Sequence, residues 1–400
     1  MAVCKESAAL ELLPPAISDP ALFKLLTDAL SVSADTAENA RTRLMGVSWQ
    51  ALIDLAEAQG VLLPLVWALR RRALLLPVPE GLAHADAAGH PTVQLETSYQ
   101  RHLERRKRQR IQLAAVIGVL NRANIQPCLL KGARYLMAPA GSWSEARDMR
   151  DLDLLVRPDD AERAVAALAA EGYRSDPNSG PTDQHLPELS KDGCPSAVEL
   201  HIEALAFSAR AVLPADEVWR RGVRLSISQG SFVVLPDEWH LLLGLLHHQI
   251  SDRGHVRHVL ALKPLWEFTM LGSELPDQGW HFIGAHMAEA GQSDVLADWV
   301  VEATELLGLR HPPRVEISPA ARAHALATIA AARAPTWLRR ARFLLDQLGF
   351  GFSRKTMAVR YGVDADAVSV STYGRHLQFL LQRYRGRVWQ RLTGRGDRLS

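Results

Sequence analysis

The sequence predicts an α+β protein, in which a small mixed β-sheet is flanked by an N-terminal and a C-terminal helical region. Apolar residues return every three or four positions over 20–123 and again after Asp237, which is the spacing of helices. Over 125–236 the spacing shortens to two, which indicates strands. We therefore expect a helical region at 1–124, an α/β core at 125–236 and a second helical region at 237–400.

The N-terminal region is predicted to contain shorter helical segments and one long helix. The segments "PALFKLLTDAL" and "WQALIDLAEAQGVLLPLVWALRRR" show the helical spacing directly. A stretch containing Pro and Gly separates them from a long helix over 92–123. The basic stretch 101–110, "RHLERRKRQR", falls inside that helix, and we expect it on the exposed side.

The core is predicted to alternate strands with a helix. Strands are indicated by "PCLLKG", "DLDLLVRP" and "AVELHIEAL", and "DDAERAVAALAAEGY" has the acidic start and terminal Gly172 of a helix. The segment "VRLSISQGSFVVLP" predicts a hairpin that turns at Gln229 and Gly230. Helices then follow, in "DEWHLLLGLLHHQI", "VLALKPLWEFTML", "DVLADWVVEATELLG", "ARAHALATIAAARA", "TWLRRARFLLDQLG" and "GRHLQFLLQRYRGRVWQRL".

Composition bounds the class of protein without naming a function. The net charge of +2 over 400 residues does not mark a nucleic-acid binder, so the two basic stretches, 101–110 and 374–400, are first interpreted as solvated helix faces. The 3 cysteines show no CxxC spacing, which favours a reducing, cytoplasmic compartment. No apolar run approaches the length of a membrane span.

The acidic residues of the core are the candidate metal ligands. In a strand, Asp151 and Asp153 share one face about 7 Å apart, while Leu152 and Leu154 lie on the other. Glu199 has the same phase in "AVELHIE". If the two strands are neighbours about 4.8 Å apart, the three acids converge and hold one or two hard divalent cations, chiefly Mg²⁺, with Mn²⁺ as the alternative.

Residues before and beside these acids supply positive charge and polar contacts. Lys131 and Gly132 end an apolar strand, where backbone amides and a mobile cation suit phosphate oxygens. Arg147 and Arg150 either bind phosphate or serve as structural counter-charges. Two histidines complete the candidates, each with a structural role as the alternative. His201 shares the face of Glu199, and His185 lies in a predicted loop with the position to close over the site.

A histidine-rich segment, "HHQISDRGHVRH", raises the question of zinc. It contains His247, His248, His255 and His258. The segment lacks a thiol and its histidines fall on different predicted helices, so the sequence disfavours a zinc site.

In order along the chain, "LLKGARYL", "RDMRDLDLLV", "AVAALAAEGY", "HLPEL" and "VELHIE" resemble the motifs of one superfamily. It is the nucleotidyltransferase superfamily that shares its core with DNA polymerase beta, and within it a poorly characterised bacterial branch described as "nucleotidyltransferase family protein". The resemblance covers 49–258, and more loosely the C-terminal helices. It implies that Lys131 and Gly132 contact the triphosphate, that Asp151 and Asp153 bind Mg²⁺, and that Glu199 completes the site.

The resemblance implies an enzyme that transfers a nucleoside monophosphate from a nucleoside triphosphate, such as ATP, to an acceptor hydroxyl and releases pyrophosphate. The acceptor, whether small molecule, peptide or protein, is not fixed by this core. A protein that binds nucleotide or acts as a scaffold without catalysis is the alternative. RNA tailing through the basic stretches ranks last, because the net charge is near neutral.

Overall fold

The computed structural model describes residues 17–33, 43–44, 46–75, 90–138, 141–175, 184–361 and 363–378. The chain divides near Arg340 into two compact units, the larger of which contains the sheet. The division of the sequence into three regions stays a proposal, since it rests on the change of periodicity. The predicted α+β class is confirmed, with a seven-stranded mixed sheet and helices on both sides of it in the chain.

The N-terminal helices agree with the sequence pattern. They are α1 (Pro20–Leu30), α2 (Trp49–Ala58), α3 (Leu62–Arg71) and the long α4 (Pro91–Arg122). Gly60, with φ of +69°, separates α2 from α3 inside what the sequence presented as one segment. The expectation that the basic stretch lies on the exposed side is wrong for Arg106, which is buried and donates to the carbonyl oxygen of Tyr135.

The central elements follow the predicted order. They are β1 (Cys128–Leu129), α5 (Lys131–Tyr135), β2 (Asp151–Leu155), α6 (Ala161–Ala170), β3 (Arg174–Ser175), β4 (Leu189–Ser190), β5 (Ala197–His201), α7 (Phe207–Arg210), α8 (Ala215–Arg221), β6 (Val223–Ile227) and β7 (Gly230–Val234). The strand order is β3-β4-β5-β2-β1-β7-β6. β2 pairs with β5 and β1 with β7 in parallel, and the other neighbouring strands are antiparallel. The hairpin forms as predicted, but its turn lies at Ser228 and Gln229, one residue earlier.

The two faces of the sheet enter different hydrophobic cores. On one face, Leu152, Leu154 and Val198 are fully buried in a core that also includes residues of α4 and α6. On the opposite face, Cys128 and Leu155 belong to the larger core built with the flanking helices. Each fully buried leucine stabilises the fold by about 1.5–3 kcal/mol, so the register of β2 is fixed by its apolar face.

The C-terminal helices of the larger unit surround a short irregular segment. They are α9 (Asp237–Leu246), α10 (Gly254–Arg257), α11 (Leu262–Glu274), α12 (Asp277–Glu289), α13 (Ser293–Leu307) and α14 (Pro319–Ala331). A π-helical turn, His247–Ser251, follows α9, and Arg253 and His258 adopt left-handed backbone angles of +61° and +51° on either side of α10. The sequence pattern predicted no helix at α12.

Two further helices, α15 (Thr336–Gly351) and α16 (Arg354–Tyr361), precede the helical residues 370–378. Most of the predicted basic tail, 379–400, lies outside the described residues. In the described part of the chain, no helix combines the length and apolar character needed to cross a membrane. Cys128 and Cys194 are free thiols.

Candidate functional site

The acidic residues of β2 and β5 face each other across two parallel strands. Asp153 pairs in register with Glu199, and Asp151 lies two residues earlier on the same face of β2. The two strands are thus neighbours, which is the condition that the sequence set for the three acids to converge. Asp153 and Glu199 are 8% and 6% exposed, so two carboxylates stand side by side in a buried position.

Two cationic groups reach the buried carboxylates. Lys131 Nζ donates to Asp153 Oδ1 at 2.9 Å. His201 Nε2 donates to the same oxygen at 3.0 Å and lies 3.6 Å from Glu199 Oε2. Charge-assisted hydrogen bonds of this kind offset the cost of burying the carboxylates.

These contacts shift the pKa values of the cluster in opposite directions. Burial alone raises the pKa of Asp153, but Lys131 and His201 outweigh it and hold the pKa well below its usual range. The pKa of Glu199 is likewise low, because contacts with His201, His185 and Lys131 outweigh burial. Burial alone lowers the pKa of His201, but its hydrogen bonds to the two acids raise it. The cluster therefore favours ionised acids beside charged Lys131 and His201.

The oxygen atoms are close enough to share an ion. Asp151, Glu188 and Glu199 bring ligand atoms within 4.8 Å of one another, and so do Asp153, Glu199 and His201. Hard oxygen donors in this number suit Mg²⁺, and the acids outnumber the cations that contact them. The residues therefore fit the divalent ion expected from the sequence, with Glu188 as a carboxylate that the sequence analysis did not assign.

The turn after β1 brings Lys131 and Gly132 to this face. Lys131 has a strained φ of +42°, and such strain is concentrated at functional sites. A Cβ on Gly132 would collide with the guanidinium of Arg147 and lie 3.1 Å from Met149 Cβ. Glycine at position 132 thus leaves room for Arg147 to pack on the backbone of the turn.

The two arginines singled out from the sequence have different surroundings. Arg147 Nε lies 2.9 Å from Glu267 Oε2, with its guanidinium 5.6 Å from the ring centroid of Tyr135. Burial tends to lower the pKa of Arg147, but Glu267 raises it overall. Arg150, at the start of β2, is exposed. The structure therefore places Arg147 in the wall of the site and Arg150 at its solvent side.

His185 lies in an irregular segment that contacts β5. It is 5% exposed, forms an antiparallel bridge with His201, and its ring centroid lies 5.3 Å from that of His201. Both histidines thus lie beside the carboxylate cluster, and the bridge ties the segment of His185 to β5. Closure of this segment over the site stays a prediction.

A cavity of about 200 Å³ opens beside Lys131 and is lined by Arg147, His240, His247, Lys263 and Glu267 among others. Lys263 Nζ donates to the carbonyl oxygen of Asp148 at 2.7 Å, which closes one wall. Burial lowers the pKa of His247 to about 4, so the imidazole of His247 is uncharged near pH 7. Cationic side chains thus line one part of the cavity, and apolar side chains of α9 and α11 line another part.

Asp252 is a second acid that the sequence analysis did not assign. Its carboxylate lies 3.4 Å from Nδ1 of both His247 and His248. Burial tends to raise its pKa, but these histidines and Lys131 lower it to about 2. A sign of this residue in the sequence is the position of Asp252 between two pairs of histidines in "HHQISDRGHVRH". That segment was considered only as a zinc site.

A mixed sheet with clustered carboxylates on neighbouring strands, reached by a Lys-Gly turn, agrees with the superfamily indicated by the motifs. The chain belongs to the family described as "Uncharacterised nucleotidyltransferase", whose model matches residues 46–308. The predicted membership of the nucleotidyltransferase superfamily is thereby confirmed, and the match extends beyond the sheet into the C-terminal helices. No curated protein matches the chain.

Proposed function

We propose that this protein is a Mg²⁺-dependent nucleotidyltransferase that moves a nucleoside monophosphate from a nucleoside triphosphate to an acceptor hydroxyl. The observation that carries the proposal is the register of β2 and β5, which sets Asp153 beside Glu199 and brings Asp151 to the same face. Membership of the family supports nucleotidyl transfer as the class of reaction. The acceptor class stays open among small molecules, peptides and proteins.

In the proposed reaction the acceptor oxygen forms a bond to the α phosphorus, and the bond from that phosphorus to the bridging oxygen breaks. Pyrophosphate leaves, and the hydroxyl proton passes to solvent or a base. Lys131 and the amides of its turn bind phosphate oxygens, while Arg147 shapes the cavity wall beside them. Bound Mg²⁺ supplies charge neutralisation at the reacting phosphate.

Asp151, Asp153 and Glu199 are proposed to hold the ion, with Glu188 as an added carboxylate. The low pKa of Glu199 makes it a weak base near pH 7, which favours metal binding over proton abstraction for this side chain. His201 and His185 hold Glu199 and Asp153 in their ionised forms. Their proposed role is therefore to position the acids.

The test follows the label from the four α-labelled nucleoside triphosphates into cell extract, with and without Mg²⁺. Asp151→Asn and Asp153→Asn should each lower labelling at least about a thousandfold, because charge stabilisation at the reacting phosphate is lost. Asp192→Asn, at an exposed acid outside the cluster, is the matched control. Labelling by the two variants within tenfold of the wild type contradicts the proposal.

A binding protein without catalysis is the second candidate, since a family match alone does not establish turnover. Calorimetry separates the two functions. Triphosphate binding that ignores Mg²⁺, together with no transfer of label to any acceptor, favours the binding protein. A cytoplasmic location, predicted from the sparse cysteines, is compatible with either function.

A further inference from the structure

A second cluster of metal-ligating side chains lies among the C-terminal helices, apart from the acidic face of the sheet. His255 of α10, Asp298 of α13 and His324 of α14 bring one ligand atom each within 4.8 Å of the others. Nδ1 of His255 and Nδ1 of His324 lie 2.8 Å and 2.6 Å from the same atom, Asp298 Oδ2. Two imidazoles and a carboxylate from three separate helices thus converge on one point.

The buried carboxylate at the centre of this cluster lacks hydrogen bonds. The side chain of Asp298 is 3% exposed, and within the described residues neither of its oxygens has a hydrogen-bond partner. Nδ1 of both histidines also lacks a partner, because the close N···O approaches do not have hydrogen-bond geometry. Buried groups of this kind are normally paired or bound to a metal.

A second buried acid lies beside Asp298. Glu302 follows Asp298 by one helical turn, is 3% exposed, and has an Oε2 without a hydrogen-bond partner among the described residues. Burial, together with the charge of Asp298, raises the pKa of Glu302 well above its ordinary value. The buried surroundings of Asp298 therefore include a second carboxyl group, one helical turn away.

The two histidine rings can adjust to an ion. Their side chains are 24% and 27% exposed, and the His255 and His324 rings stack at 4.2 Å. A tetrahedral zinc with bonds of 2.0–2.1 Å separates its ligand atoms by roughly 3.3 Å. The observed N···O distances of 2.8 and 2.6 Å therefore need to open by about 0.5–0.7 Å, which partly exposed rings can provide.

We infer that His255, Asp298 and His324 form a second metal site, which takes a first-row transition ion of the Zn²⁺ class. Two imidazoles and one carboxylate are a common protein ligand set for such ions, and a water completes the coordination. The sequence disfavoured zinc because the segment 247–258 lacks a thiol and its histidines fall on different predicted helices. Asp298 and His324, which complete the set, lie far along the chain.

The inferred ion fixes the irregular segment that connects this cluster to the candidate active site. Gly254, directly before His255, packs so closely that an added Cβ would lie 2.7 Å from the carbonyl oxygen of His248. Asp252 lies three residues before His255, and its carboxylate is 3.4 Å from Nδ1 of His248. The charge of Lys131 is one of the groups that lower the pKa of Asp252. The ion would thus anchor the segment that presents Asp252.

The test measures bound metal in the full-length protein purified from zinc-supplemented cells. We expect about one zinc per chain, and after exchange into Co²⁺ an intense visible absorption band of four-coordinate cobalt. His324→Ala and Asp298→Asn should lose both signals. His311→Ala, at an exposed histidine outside the cluster, should keep them.

Asp151→Asn separates the two proposed sites, because it removes a ligand of the sheet cluster only. Its zinc content and cobalt band should match those of the wild type. Loss of the signals in Asp151→Asn but not in His324→Ala overturns the inference, and so does a wild-type protein without stoichiometric metal and without the cobalt band. Even where a variant fails to fold, a wild-type protein without the cobalt band overturns the inference.

Discussion

The two clusters of carboxylates and histidines differ in how their buried charge is balanced. On the sheet, Asp153 accepts hydrogen bonds from Lys131 and His201 at 2.9 and 3.0 Å. Among the helices, Asp298 has two ring nitrogens nearby but, within the described residues, no hydrogen bond. The sheet cluster supplies its own cations, whereas we infer that the helical cluster is completed by an added one. Although the two clusters contain the same residue types, we expect them to respond differently to mutation, pH and metal.

The largest effect is expected from removing the internal cation of the sheet cluster. Lys131→Met leaves Asp153 and Glu199 with less compensating charge, which should lower the free energy of unfolding by about 2–4 kcal/mol without Mg²⁺. Nucleotidyl transfer should fall at least about a hundredfold, since Lys131 is also proposed to bind phosphate. Added Mg²⁺ should raise the melting temperature more in the variant than in the wild type, because no lysine competes for the acids.

Chemical denaturation at several Mg²⁺ concentrations checks this expectation. Lys191→Met, at an exposed lysine, serves as the control and should change stability by less than about 0.5 kcal/mol. Equal stabilisation of Lys131→Met and the wild type by Mg²⁺ would show that Lys131 and the ion do not share the acids.

The next effect distinguishes the clusters by pH. The pKa of Glu302 is raised above its ordinary value of 4.5, so the folded state keeps a proton that the unfolded state releases, and stability falls as pH rises above about 4.5. Asp153 and Glu199 have lowered pKa values, so their contribution is present at neutral pH and is lost as pH falls below about 4. The two clusters therefore have opposite pH dependence.

Glu302→Gln isolates the helical half of that contrast. In metal-free protein, the variant should be more stable than the wild type by about 1–3 kcal/mol at pH 8, with the difference shrinking toward pH 4. Unfolding curves across this range measure it. A gain that does not depend on pH would mean that Glu302 does not titrate between the folded and unfolded states.

The two arginines at the edge of the sheet cluster are expected to differ, with the smallest effect of all at Arg150. Arg147→Ala removes a buried guanidinium paired with Glu267, which should lower the free energy of unfolding by about 3 kcal/mol. Arg150→Ala, at an exposed position, should change it by less than about 0.5 kcal/mol. If Arg150 binds phosphate, its variant raises KM for the triphosphate without changing stability, and steady-state kinetics detect this.

The sheet and its acids were predictable because alternation encodes them locally. Leu152 and Leu154 define the buried face of β2, which leaves Asp151 and Asp153 on the opposite one. The same rule applied to β5 gave Glu199, and the observed register agrees. A strand needs only its own sequence to show which residues share a face.

Residues brought in by tertiary packing carried no comparable signal. Glu188 precedes a two-residue strand, which is too short to show a periodicity. Glu267 lies on a helix that was predicted from its apolar spacing, and that spacing does not identify the partner of a polar side chain. Arg106 looked like part of a solvated basic stretch, yet its guanidinium satisfies the carbonyl oxygen of Tyr135. Asp298 and His324 meet His255 only through the packing of three helices.

The register between β2 and β5 also has a consequence for biosynthesis. Asp153 and Glu199 are distant in the chain, so a ribosome must release all of β5 before the acids can meet. A nascent chain that ends earlier presents β2 without its parallel neighbour, and closing that long-range pairing is a slow step of folding. An ion that needs both strands would stabilise chains in which β2 and β5 are paired and leave shorter chains unaffected, so its binding reports that this pairing has formed.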